Sequence, residues 1–309
     1  MSIWILKAAA QKTLSVLPAR HDVNYFFQKY LTKGVTLTDN LIEDKLTHTK
    51  THIHYFLRYS NNSIPNKILE LGTGWFPVIP ICFFLNGANE ILTVDLHSLL
   101  KKQNVKRAIE KILQYYETGK LSKFINIDGT ERIDILKDCL SKVDSLTLDE
   151  SFNMLKIKTI VDDARELNVP SNSIDLITSN NTFEHISPNI LIGIIEEFKR
   201  VARHGCVMSH FIDMTDHFEH FDKSISIYNF LKYSDRKWAF IDNSIQPQNR
   251  QRITFYRKVY KQLGIEIKEE INQPGDIEKI KKIKLHQKFR DIPVGELAVY
   301  HSLLVSVMK

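Results

Sequence analysis

The sequence predicts an α/β protein built on a doubly wound, mostly parallel sheet. From Lys67 onward, short apolar runs typical of buried strands alternate with segments of helical period. The first of these runs ends in a glycine turn, "LELGTGW", at the place where sheets of this class bind their ligands. The length of 309 residues and the 43% hydrophobic content suffice for one large core.

The segment before the first strand predicts helices. Asp22 and Asn40 are plausible N-caps, and Tyr25, Phe26, Tyr30 and Leu31 recur at helical spacing. In "MSIWILKAAAQKTLSVLP" two lysines interrupt the apolar run and no cleavage site follows, so we interpret it as an amphipathic helix rather than a signal peptide. Residues 1–60 are therefore expected to form a helical extension or cap.

Strands are expected, in chain order, in "KILELG", "EILTVDL", "KTIVDDA", "IDLITSN", "GCVMSHFI", "IEIKEEI" and "ELAVYHSLLVSVM". Helices are expected in "PVIPICFFLNGA", Ser98–Glu117 with Ser98 as its cap, "PNILIGIIEEFKRVA" and "NRQRITFYRKVYKQLG". Two insertions, a mostly helical one at 120–156 and an aromatic one at 215–248, are expected to cover a pocket. Residues 61–309 are expected to form one domain, because no Pro/Gly/Ser-rich linker divides them.

Composition excludes several classes of protein. The three cysteines are too far apart for a disulfide framework or a zinc site, and no apolar run approaches the ~20 residues of a membrane span. We expect a cytoplasmic protein.

The densest basic stretch, "KIKKIKLHQKFR" at 279–290, has apolar residues at helical spacing, which favours a solvated lysine face on a packed helix. Nucleic acid is not an expected partner, since aromatic residues are not interleaved with the basic ones.

The residues in and near the glycine turn indicate which kind of nucleotide cofactor it binds. Gly72 and Gly74 allow a close backbone approach, and Asp95 follows at the spacing of a carboxylate that accepts ribose hydroxyls. A dinucleotide fingerprint would place a third glycine where Pro77 stands, which counts against NAD. Glu70 would repel a pyrophosphate but could organise the turn around a cationic ligand.

With these residues the sequence resembles the class I S-adenosylmethionine-dependent methyltransferases, over residues 64–214 and the tail from 249. Glu70, Gly72, Thr73 and Gly74 match the first motif, and Asp95 with Leu96 matches the acid after the second strand. By this resemblance Asp163 and Ala164 border the adenine and Asn180 approaches the methionine part. The resemblance implies S-adenosyl-L-methionine as cofactor and a seven-stranded Rossmann-like sheet with a reversed last strand. Phe76 stands where the family's third glycine is usual.

We expect the base that takes a proton from the methyl acceptor to lie just beyond the fourth or fifth strand. "TFEHIS" supplies Glu184 and His185, and "DMTDHFEHFD" supplies Asp213, Asp216, His217, His220 and Asp222. A histidine can take a hydroxyl proton when a carboxylate holds its tautomer, and either Asp216 with His217 or Asp213 with His220 could form such a pair. The same residue types could ligate a divalent metal, although we assign none.

The segment after the fifth strand suggests the chemical class of the methyl acceptor. Arg250, Arg252 and the aromatic residues of "SISIYNFLKYSDRKWAF" would suit a sugar, a phosphate or a carboxylate. The stretch also resembles methyltransferases of bacterial polysaccharide and natural-product gene clusters, which implies transfer to a hydroxyl of a small molecule or glycan. An N-methyltransferase acting on a small amine or peptide is the alternative. A nucleic-acid or protein methyltransferase is disfavoured, because "SNNTFEHIS" replaces the Asn-Pro-Pro-Tyr type of motif.

Overall fold

A computed structural model describes residues 3–14, 36–60, 64–127, 129–244 and 246–309. The chain forms a seven-stranded sheet of order β3-β2-β1-β4-β5-β7-β6. Its strands are β1 (Lys67–Leu71), β2 (Glu90–Asp95), β3 (Ile157–Val161), β4 (Ile174–Asn180), β5 (Ala202–Asp213), β6 (Ile267–Gln273) and β7 (His301–Val307). The proposed cap Asp22 and the apolar positions Tyr25, Phe26, Tyr30 and Leu31 lie outside the described residues.

The centre of the sheet is parallel and its far edge is reversed, as the sequence predicts. β1 pairs in parallel with both β2 and β4, and Glu70 stands opposite Thr93 on one side and Thr178 on the other. β2 pairs in parallel with β3. β7 runs against β5: Met308, just after β7, accepts from Gly205 N–H and donates to the Cys206 carbonyl, so two residues of β5 stand opposite one, as at a bulge in an antiparallel pair. The order reverses at β1, and sheets of this class bind ligands at that point.

The chain divides into two compact units. Unit 1 comprises the described residues among 1–35 together with 181–192 and 211–304, and unit 2 comprises 36–180, 193–210 and 305–309. The helices are α1 (Ile3–Leu14), α2 (Asp39–Tyr59), α3 (Val78–Leu85), α4 (Lys102–Glu117), α5 (Glu131–Lys142), α6 (Leu148–Met154), α7 (Pro188–Val201), α8 (Asp235–Ile241), α9 (Ile253–Gln262), α10 (Ile277–Lys281) and α11 (Val294–Ala298).

Unit 2 holds the glycine turn and most of the parallel strands. Its helix α2 is capped by Thr38, whose hydroxyl accepts from Leu41 N–H at 3.2 Å, so Asn40 lies inside the helix and is not its cap. The prediction for α4 was also wrong at its start: the helix begins at Lys102, and Ser98 precedes it in an irregular segment. The segment 120–156 contains α5 and α6, as its helical pattern predicts.

Unit 1 is built around an aromatic cluster. Trp4 of α1 packs there with Phe218, Phe230 and Trp238, so the amphipathic character of α1 is satisfied by packing. The basic stretch 279–290 forms one short helix and a 3-10 turn rather than the single helix predicted, and its residues Ile280 and Phe289 are buried in the same cluster. Among the described helices, none is both long and apolar enough to cross a bilayer.

Candidate functional site

The turn after β1 adopts the left-handed conformation that favours glycine. Gly72 and Gly74 have φ angles of 85° and 68°. The N–H of Gly72 donates to the Val94 carbonyl at 2.8 Å, which extends the β1–β2 pairing by one residue. At Gly74, a side-chain Cβ would meet no heavy atom within 4 Å. The backbone at Gly74 is therefore open to the approach of a ligand.

Two acidic residues and one cation surround this turn. Asp95 Oδ2 accepts from Gly74 N–H at 3.0 Å, and burial raises the pKa of Asp95 to about 6, although the N–H groups of Gly74 and Thr73 act against that shift. Burial also raises the pKa of Glu70, which is 1% exposed, to about 8. Lys45 of α2 is near both carboxyl groups, and burial lowers its pKa. The turn is thus lined by charges that a ligand could rearrange.

A cavity of about 320 Å³ in unit 2 adjoins Asp95. Its wall includes Thr93 from β2, Val161 from β3 and Phe152 from α6, so the helical insertion contributes to it. This volume lies within the usual range for small-molecule sites, about 300–1,000 Å³. Leu96, the residue after Asp95, is 65% exposed and available to cover a bound group.

The predicted adenine border follows β3. Asp163 binds its neighbour Arg165, whose Nε lies 3.0 Å from both carboxylate oxygens, and that contact holds the pKa of Asp163 below its usual value. Asp163 also accepts from the backbone N–H of Arg165 at 3.0 Å. Ala164 is buried. The structure therefore presents a small apolar residue beside an acid that is already paired.

Asn180 ends β4 and is held by a buried histidine. His52 Nε2 lies 3.0 Å from Asn180 Oδ1, and His52 Nδ1 lies 2.8 Å from the Ser209 hydroxyl. Burial lowers the pKa of His52 to about 3, so the ring is neutral. Because an amide oxygen only accepts, Nε2 carries the proton and the Ser209 hydroxyl donates to Nδ1. This chain of hydrogen bonds fixes the orientation of the Asn180 amide.

A comparison with known families agrees with this geometry. Residues 113–209 match the family model of a methyltransferase domain. The chain thus carries a methyltransferase domain. None of the curated proteins matches its sequence significantly.

Solved structures resemble the methyltransferase in fold. A protein from Pyrococcus horikoshii OT3 is 14% identical, with a TM-score of 0.47, and the match covers 92% of this chain and 98% of that one. A SAM-dependent methyltransferase from Methanosarcina mazei is 12% identical, with a TM-score of 0.43 and coverages of 82% and 96%. The geranyl diphosphate C-methyltransferase from Streptomyces coelicolor A3(2) is 7% identical, with a TM-score of 0.46 and coverages of 84% and 79%.

Unit 1 of the methyltransferase holds the predicted histidines as a cluster. The rings of His185 and His217 meet edge to face at 5.0 Å, and the ring of His220 stacks on His217 at 5.7 Å. His185 lies in a 3-10 turn that follows β4, and the other two lie in a 3-10 turn that follows β5. Burial lowers the pKa of His185 to about 4, and its Nδ1 donates to the Pro247 carbonyl at 2.7 Å.

Asp213 is the carboxylate that pairs with this cluster. Its Oδ2 lies 3.3 Å from His217 Nε2, and its Oδ1 lies 3.3 Å from His301 Nε2. Burial acts to raise the pKa of Asp213, but the contacts with His217 and His301 outweigh it and hold that pKa well below its usual range. Asp213 therefore remains ionised beside His217.

The pairing of Asp216 with His217, which the sequence suggests, does not form. Asp216 is buried and caps the 3-10 turn: it accepts from Phe218 N–H at 2.9 Å and from Asn229 Nδ2 at 3.1 Å. Burial raises its pKa to about 6. The suggested pairing of Asp213 with His220 is likewise replaced by Asp213 with His217, which stand four residues apart on a single turn.

The two arginines expected to contact an acceptor instead bind groups of the protein itself. Arg252 is 1% exposed and donates to three backbone carbonyls, those of Met214, Leu297 and Val299. Arg250 donates to the carbonyls of Phe230 and Tyr233 and pairs with Asp235. Their guanidinium groups hold loops together, and the prediction that either meets a phosphate or carboxylate of the acceptor was wrong.

Sequence reasoning missed two residues of these sites. Lys45 lies on a helix assigned to the extension, and its position near Glu70 and Asp95 depends on tertiary packing. His301 begins β7 and reaches Asp213 only once β7 is in place. Glu184, which the sequence offers together with His185, is buried beside it.

Proposed function

We propose that this methyltransferase takes a methyl group from S-adenosylmethionine and transfers it to a hydroxyl of a small molecule or sugar, and that the histidine cluster of unit 1 activates that hydroxyl. The observation that supports this proposal is the pairing of His217 with an ionised, buried Asp213. A hydroxyl must lose its proton as it attacks the methyl carbon, whereas a neutral amine needs no such base.

In the proposed reaction the acceptor oxygen displaces the cofactor sulfur at the methyl carbon. The O–CH3 bond forms as the S–CH3 bond breaks, and the hydroxyl proton passes to His217. Asp213 stabilises the resulting imidazolium, as a carboxylate does in general-base pairs. His185, kept neutral by burial and donating through Nδ1, offers the lone pair of Nε2 to orient the hydroxyl. The imidazolium then returns its proton to solvent.

The cofactor is proposed to bind in unit 2 through the residues that the sequence singled out. Asp95 would accept the ribose hydroxyls, and Gly72, Thr73 and Gly74 would pass close to the ligand. The positive charge of the ligand would favour ionisation of Glu70, and the resulting carboxylate would stabilise that charge. Leu96, Asp163 and Ala164 would border the adenine, and Asn180, oriented by His52, would approach the methionine part. The open backbone at Gly74 and the cavity at Asp95 support this assignment.

The test is an acceptor screen that detects S-adenosylhomocysteine and locates the new methyl group by mass spectrometry. Paired alcohol and amine acceptors of equal size would be compared, with sugars included. We expect O-methyl products, and we expect His217→Gln to lower the rate with the alcohol by about 10²-fold or more. His204→Gln, which changes an exposed histidine in unit 2, is the matched control.

Two results would contradict the proposal. One is a product methylated only on nitrogen. The other is an alcohol rate that His217→Gln leaves unchanged. Either result would favour the N-methyltransferase alternative, for which the cluster would be structural.

A further inference from the structure

Glu184 is a buried carboxylate with little compensation. Its side chain is 6% exposed, and neither of its oxygens accepts a hydrogen bond of ordinary geometry from the described residues. Burial raises the pKa of Glu184 well above its usual value and the charge of Asp213 adds to that shift, although the backbone N–H groups of Glu184 and Asp213 act against it. Buried carboxylates are normally compensated by hydrogen bonds, by a proton or by a cation. Glu184 therefore points to a missing partner.

Two imidazoles stand next to this carboxylate. Glu184, His185 and His217 each offer one ligand atom within 4.8 Å of those of the other two. His185 Nε2 lies 4.0 Å from Glu184 Oε1. An ion bound tetrahedrally at about 2.1 Å holds its ligand atoms about 3.4 Å apart, so movements of about half an ångström would bring this pair onto a shared ion. We propose that Glu184, His185 and His217 bind one divalent cation.

The residues around the three ligands are arranged as in metal sites. The Nδ1 of His185 donates to the Pro247 carbonyl at 2.7 Å, which leaves the lone pair of Nε2 toward Glu184. Asp213 pairs with His217 and is itself held by the backbone N–H of Thr215 at 2.8 Å. Such outer contacts fix the tautomer and orientation of ligating histidines. The charges of Glu184 and Asp213 would together balance a divalent ion.

The ligand types indicate which cation fits. Two imidazole nitrogens and one carboxylate suit a first-row transition ion such as Mn²⁺, Fe²⁺, Co²⁺ or Zn²⁺, whereas Mg²⁺ and Ca²⁺ prefer oxygen ligands. Three protein ligands also leave coordination positions open for water or substrate.

A bound cation would add to the chemistry of the methyltransferase, and this consequence rests on the proposed function. A hydroxyl oxygen at an open position would become more acidic, and two neighbouring hydroxyls could bind together. With the ion bound, His217 would serve as a ligand in place of its role as the base, and the more acidic hydroxyl would lose its proton to water. The acceptor class favoured by such a site is a vicinal diol or an α-hydroxy carbonyl compound, whose two oxygens can chelate the ion.

Binding of Mn²⁺ to the chelator-treated full chain tests the site without cofactor or acceptor. Free Mn²⁺ would be followed by electron paramagnetic resonance, with Co²⁺ absorption as a second probe. We expect one ion per chain, with affinity reduced at least about tenfold in Glu184→Gln and in His185→Gln. His204→Gln, a change in an exposed histidine, should bind Mn²⁺ as the wild type does. Circular dichroism melting establishes that each variant is folded.

Absence of stoichiometric Mn²⁺ and Co²⁺ binding by the wild type would overturn the site. Undiminished binding by both folded variants would overturn it as well. Neither result bears on hydroxyl methylation, because no acceptor is present, and the acceptor screen decides that question separately.

Discussion

Replacing Glu70 by glutamine should make the stability of the methyltransferase less sensitive to pH. Burial raises the pKa of Glu70 from 4.5 to about 8 in the folded chain. Between these values the unfolded carboxyl ionises while the folded one keeps its proton, so the free energy of unfolding falls as pH rises. Below pH 4.5 the favourable contribution is complete, and above about pH 8 it is lost. Glu70→Gln keeps the shape of the side chain without this titration.

A shift from 4.5 to about 8 corresponds to at most about 5 kcal/mol, since each pKa unit is about 1.4 kcal/mol. The pKa of about 8 already includes the opposing charge of Lys45, so we expect a change of about 5 kcal/mol or less. Urea unfolding followed by fluorescence at pH 5, 7 and 8.5 gives the stability difference between variant and wild type. As pH rises, the free energy of unfolding of Glu70→Gln should increase relative to that of the wild type. Glu117→Gln, which removes an exposed carboxylate, is the control, and a difference that stays constant with pH would refute the reasoning.

Three further predictions concern the turn and the loops. Because burial raises the pKa of Asp95 to about 6, cofactor affinity measured by calorimetry should weaken about tenfold per pH unit below that value; equal affinity at pH 5 and 7.5 would contradict this. Gly74→Ala should lower the free energy of unfolding by about 1–2 kcal/mol, since φ is 68° and L-residues are strained there; an unchanged urea midpoint would count against it. Arg252→Met should cost at least about 3 kcal/mol in the same assay, because three carbonyls lose their donor, whereas the exposed Arg236→Met should cost little.

The fold was largely predictable because the buried strands have strong local patterns. Each of the seven strands overlaps a segment predicted as a strand, although the first residues of "ELAVYHSLLVSVM" belong to α11, and the glycine turn follows the first strand. The errors lie at element ends: Ser98 precedes α4 by several residues, and Asn40 lies within a helix capped by Thr38. Caps depend on the backbone path of the preceding residues, and a list of candidate side chains does not define that path.

Side-chain partners were much less predictable than elements. The cluster of His185, His217 and His220 forms as its position after two neighbouring strands suggests, but the carboxylate that pairs with His217 is Asp213 rather than the adjacent Asp216. Asp213 ends β5 and reaches His217 at the start of the 3-10 turn, whereas Asp216 caps that turn and binds Phe218 N–H and Asn229 instead. The partners of Arg252 were not predictable either. Its position suggested contact with an acceptor, but its buried guanidinium donates to backbone carbonyls.

Calorimetry of the wild type and Asp95→Ala, titrated separately with S-adenosylmethionine and with NAD, tests most directly where this methyltransferase holds its cofactor. We predict micromolar binding of S-adenosylmethionine by the wild type, its loss in Asp95→Ala, and no binding of NAD by either protein. Undiminished binding of S-adenosylmethionine by a folded Asp95→Ala variant would contradict the assignment of the cofactor to the glycine turn and Asp95.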